Sequence, residues 1–180
     1  MGEIKSTLEL AMERTKKVAI SEKEKEDIKQ REILQKATGL FHRYRESHLS
    51  LNEILKEIER MEGRTATTVK EYLLSHWIDA LSLDDDDERI FKGIESLKGR
   101  SMDEVKQRFH HLLSQYLGEK EKLKEEARVQ FTEALRKEGI YGSAVEPNAE
   151  GGELWKKEGG KLDEFYGEKL KQIKDQLRFL

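Results

Sequence analysis

Apolar residues recur along most of this chain at intervals of three and four, the repeat of helices that bury one stripe. Ile4, Leu8, Ala11, Thr15 and Val18 set that spacing in residues 3–19, as in the seam of a coiled coil or a helical hairpin. The capping box Ser21-x-x-Glu24 predicts the start of a second helix, with Leu34, Ala37, Phe41 and Tyr44 as its buried stripe. Ser50 with Glu53 predicts another, carrying Leu51, Ile54, Leu55, Ile58 and Met61 on one face, with Gly63 as its stop. Thr68 with Glu71 predicts the next start, ahead of Val69, Leu73, Trp77, Ala80 and Leu81. A short helix holding Ile90, Phe91, Ile94 and Leu97 ends at Gly99.

Ser101 with Glu104 opens the longest element. Met102, Val105, Phe109, Leu112 or Leu113, Tyr116, Leu123, Ala127, Phe131 and Ala134 continue at helical spacing to Gly139. Residues 102–138 as one helix would span about 55 Å. That exceeds the roughly 40 Å width of a compact chain of this length, so an elongated molecule is expected. Residues 161–179 return to helix through Leu162, Phe165, Tyr166, Leu170, Ile173 and Leu177.

One stretch breaks the pattern. Residues 139–160, GIYGSAVEPNAEGGELWKKEGG, hold the single proline, Pro147, and six of the 13 glycines. A long structureless connection is either functional or a linker. This one carries Ile140, Tyr141, Val145, Pro147, Leu154 and Trp155, apolar groups suited to docking on the chain's own helices or on a partner. The organisation predicted is a helical bundle over 1–138, a Gly/Pro-containing loop over 139–160 and a C-terminal helix over 161–180 packing on the bundle. The fold class is all-α: an elongated helical bundle or antiparallel coiled-coil hairpin with one long Gly-rich loop.

Composition narrows the function classes. Charged residues make up 39% against 36% hydrophobic, so each helix has a thin stripe to bury. The net charge of -3 gives no general attraction to nucleic acid or to anionic membranes. There is no cysteine, which excludes disulfides and thiolate metal sites. No run of about 18 apolar residues exists, and no apolar run follows a basic stretch near Met1. Neither a membrane span nor a secretory signal is expected, and the cytoplasm is the expected compartment. Gly2 and Ser6 match a short myristoylation pattern, outweighed by how often it arises by chance.

Four sets of residues are of types used in binding or catalysis. Asp84–Asp87 are consecutive carboxylates, whereas a calcium loop needs alternating ligands around a glycine. They are read as caps for the helix holding Ile90 and Phe91. The five histidines fall in no metal-binding spacing. Around Gly160 and Lys161 the phosphate-loop pattern fails, since Trp155 stands where its first glycine should be. Phe41, Arg43, Tyr44 and Arg45 interleave aromatic and cationic groups, as single-stranded nucleic-acid binders do. They also sit on a core stripe, which is the plainer reading. No catalytic residue, cofactor or metal ligand is nominated, and the chain is not read as an enzyme. The expected function is protein–protein interaction, as a self-associating scaffold or assembly protein. The alternatives are an RNA- or ribosome-associated protein and an enzyme whose site only tertiary structure would assemble.

Overall fold

The computed structural model of the chain describes residues 21–85, 88–140, 142 and 148–180. The seam over residues 3–19, Asp86, Asp87, Tyr141, Val145 and Pro147 lie outside them. Every regular element among the described residues is helical: α1 (Glu22–Arg45), α2 (Leu51–Glu59), α3 (Gly63–Ala80), α4 (Glu88–Lys98), α5 (Asp103–Lys137) and α6 (Gly160–Phe179). A 3₁₀ turn (Ala149–Gly151) and a π-helical turn (Trp155–Gly159) precede α6.

Two of the four capping boxes form. The Ser21 N–H donates to Glu24 Oε2 at 2.8 Å, and the Glu24 N–H donates to Ser21 Oγ at 3.1 Å. Ser50 and Glu53 exchange the same pair at 2.7 and 3.3 Å. These bonds satisfy N–H groups that a helix start otherwise leaves without partners. The other two expectations need correction. Thr68 lies inside α3, where its Oγ1 donates back to the Arg64 carbonyl at 3.0 Å. Ser101 accepts from the Asp103 N–H at 3.2 Å, two residues on, and Met102 is the N-cap of α5.

Residue Gly139 ends α5 with a left-handed backbone, φ +80°. Its N–H donates to the Arg136 carbonyl at 3.1 Å, and the Ile140 N–H donates to the Leu135 carbonyl at 2.9 Å. This pair of bonds is the Schellman arrangement that satisfies the last carbonyls of a helix. The return helix begins earlier than Leu162. Residues 153–159 are already helical and run without a break into α6.

The chain divides into two compact units, residues 1–73 and 74–180, with the boundary inside α3. In the first, α1 buries Ile33, Ala37, Leu40, Phe41 and Tyr44, α2 buries Ile54 and Ile58, and α3 adds Val69 and Leu73. Leu34, expected inside, is 36% exposed, because the stripe runs one position earlier through Ile33.

In the second unit Trp77 is fully buried with Phe91, Ile94 and Phe109. Gly93 of α4 lies under the indole: a Cβ there would stand 2.8 Å from Trp77 Cε3 and Cζ3. Helices α5 and α6 pack against each other, burying Tyr116 on one and Tyr166, Leu170, Ile173 and Leu177 on the other. Their cross-contacts run in opposite directions: Arg108 meets Gln176, and Tyr116 meets Asp163. Phe165, expected on the buried stripe, is 54% exposed, because Tyr166 takes the inward position.

Candidate functional site

The distal half of α5 is where helix and returning chain leave space between them. Sequence charge explains the start: Gly118–Arg128 carries an acid or base at eight of eleven positions, so it has little to bury. Ala127 alone is buried there, with Leu123 and Phe131 half-covered. The returning chain is held by the Lys124–Glu150 ion pair at 3.6 Å. It is shaped by an Asx turn in which Asn148 Oδ1 accepts from the Glu150 N–H at 3.2 Å. Next to it a groove of about 570 Å³ opens, lined by Ala127, Phe131, Ala134, Gly151, Gly152 and Leu154 together with Gln130, Glu133, Lys137 and Glu153. A second hollow of about 410 Å³, involving Glu125, Glu126, Val129 and Gln130, shares Leu154 with it. Val129 is 48% exposed there. The arrangement is an apolar strip with charged rims, the chemistry of a surface that packs against protein.

Overlapping the start of that charged run, at Lys120, lies a polar network. The Tyr116 hydroxyl donates to Asp163 Oδ1 at 2.8 Å and accepts from Lys120 Nζ at 2.7 Å. Lys120 also reaches Asp84 Oδ1 at 3.5 Å, so Asp84 pairs with α5. The Tyr116 and Tyr166 rings lie 5.5 Å apart. Burial, and then the bond to Asp163, holds the Tyr116 proton above the ordinary tyrosine range despite the opposing Lys120 charge. Lys120 is also raised, chiefly by its bond to Tyr116. At neutral pH the phenol therefore serves as a bridge between two helices. Both groups hold protons more tightly folded than unfolded, so their contribution is complete below about pH 10 and is lost above it. Stability measured by denaturant from about pH 9 to 12 should fall with pH, and less steeply in the double variant Tyr116→Phe, Lys120→Met. Equal slopes would remove the network from the alkaline response.

The sequence-predicted residues separate rather than converge. Ile140 is 47% exposed and forms the last link of the α5 terminus. Trp155 is half-buried in the π-helical turn, with its indole against Gly159, where a Cβ would lie 3.8 Å from the ring. Phe41 and Tyr44 are buried in the first unit, so neither presents a ring face for base stacking. Arg43 and Arg45 are exposed, and the Arg45 guanidinium stands 5.9 Å from the Phe41 ring centre. Leu154 was among the loop's apolar groups read from the sequence, whereas the Tyr116–Lys120–Asp163 network was missed. A tyrosine and a lysine four apart on a helix were the available signal for the latter.

Residues 81–179 match the profile of a family of unknown function, DUF6657, over more than half of the chain and within the second unit. No curated protein and no solved structure matches the chain. By that extent of match the chain is a member of the DUF6657 family.

Proposed function

We propose that this chain is a protein–protein interaction module that assembles with a second copy of itself. The observation that supports this reading is the groove beside Leu154, with Val129 exposed on the same stretch of α5. In this reading α5 and the returning chain form an antiparallel, coiled-coil-like hairpin, and its distal half offers the docking strip. A second copy suits the strip by charge. The run Gly118–Arg128 carries Glu119, Glu121, Glu125 and Glu126 beside Lys120, Lys122, Lys124 and Arg128, so an antiparallel copy can place opposite signs together. The seam Ile4, Leu8, Ala11 and Val18 has the spacing of a further self-pairing element. The protein is an interaction component of the cytoplasm, with no catalytic role.

Light scattering at micromolar concentration tests this. The native chain should exceed its 21.1 kDa monomer mass, and Val129→Lys should return it toward the monomer. Val129 is half-exposed, so folding should survive the substitution. A native monomer, or a Val129→Lys variant that assembles as before, would refute the docking strip.

A further inference from the structure

A second groove lies between α5 and α6, and its chemistry differs from the first. It has a volume of about 270 Å³ and is lined by Arg108, His111, Leu112, Gln115, Lys169, Gln172 and Ile173. No carboxylate lines it, although acidic residues outnumber basic ones, 37 to 34, in this chain. The way its cations are held is more telling. Arg60, Arg128 and Arg178 each pair with an aspartate or glutamate. Arg108 instead donates to the neutral amide oxygen of Gln176 at 2.6 Å. Lys169 is braced by aromatic faces, its ammonium 4.0 Å from the Phe165 ring centre and 5.2 Å from that of Tyr166. Among the described residues, neither cation lies within salt-bridge distance of a carboxylate. Both are thus positioned without being neutralised, by partners that leave other N–H groups available.

We infer that this groove binds a small tetrahedral oxyanion of the phosphate type. Arg108 offers a planar fork of donors, Lys169 a point charge, and Gln115 and Gln172 neutral donors, with His111 at the same opening. Several converging donors with two positive charges suit a dianion with four acceptor oxygens better than a monovalent carboxylate. Leu112 and Ile173 supply apolar wall. The volume lies just under the roughly 300–1,000 Å³ of drug-sized sites, which favours a small ligand. This assignment is independent of whether the chain self-associates through the Leu154 strip.

The experiment is a titration of the full chain with inorganic phosphate at low ionic strength, followed by amide and side-chain N–H resonances. Chloride and acetate at matched ionic strength are the controls. Saturable shifts centred on Arg108, Gln115, Lys169 and Gln172 are expected, with half-saturation on the order of millimolar. Arg108→Gln and Lys169→Gln should each weaken binding about fivefold, and Gln172→Glu should abolish it by placing a carboxylate in the opening. All three are substitutions of residues that are not buried, and a native-like spectrum without phosphate confirms their folds. Shifts that are linear in phosphate, that chloride or acetate reproduces, or that survive Arg108→Gln and Lys169→Gln unchanged would overturn the assignment.

Discussion

Trp77→Ala is expected to lower the stability of the second unit by about 3–5 kcal/mol, the usual range for an aromatic side chain removed from a core. Trp77 is fully buried, and it shares that core with Phe91, Ile94 and Phe109. Truncation leaves a ring-sized void that helices fixed by their own backbone bonds fill only in part. Domains are stable by roughly 5–15 kcal/mol, so such a loss approaches unfolding. Urea denaturation followed by circular dichroism measures it, and Trp77→Phe provides a milder variant with a smaller loss. A change under about 1 kcal/mol for Trp77→Ala would mean that the indole is not the centre of this core.

Gly93→Ala is the second large effect, and its sign opposes the local rule. In a helix interior alanine is favoured over glycine by about 0.8–1.0 kcal/mol. Here the new Cβ would meet Trp77 Cε3 and Cζ3 at 2.8 Å and Cδ2 at 2.9 Å. Those are rigid ring atoms with packed neighbours, and overpacking of that kind costs about 1–3 kcal/mol. A net loss of about 1–2 kcal/mol is expected. In a Trp77→Leu background the obstruction is gone, and Gly93→Ala should become neutral or stabilising. The difference between the two backgrounds is the coupling of the pair. Stabilisation by Gly93→Ala in the native background would show that α4 and the indole are not in contact as described.

The burial of Trp77 was legible in the stripe Val69, Leu73 and Trp77, but the close approach of Gly93, one glycine among 13, was not. What else was legible followed from bonds made within a few residues. The boxes at Ser21 and Ser50 and the stops at Gly99 and Gly139 each rest on local geometry that the residue type itself demands. The same rules failed where a local motif had a local competitor. Thr68 satisfies the capping pattern, yet inside a helix its hydroxyl bonds the carbonyl four residues back, so the motif marks no start. Ser101 found Asp103 before it could cap toward Glu104. Gly159 and Gly160 read as a break, but Gly159 is buried beside Trp155 within a continuing helix. The candidate sites were hidden for a different reason: Tyr116 and Asp163 are 47 residues apart, and Arg108 and Gln176 are 68 apart. Only the pairing of α5 with α6 brings those side chains together, and composition carries no trace of that register.

The π-helical turn at Trp155–Gly159 has a consequence for sequence change by insertion and deletion. Such a turn holds one residue more than the α-helix would, and each α-helical residue advances the chain by about 100°. Losing any single codon within the turn would allow a plain α-helix and leave Tyr166, Leu170, Ile173 and Leu177 facing α5 as before. The residues upstream would keep their azimuth too, because an α-helical turn covers the same rotation with one residue fewer, and Leu154 would stay at the groove. The turn thus absorbs one residue without changing the azimuth of the returning chain, so a single-residue deletion there is expected to leave both the α5–α6 seam and the groove intact.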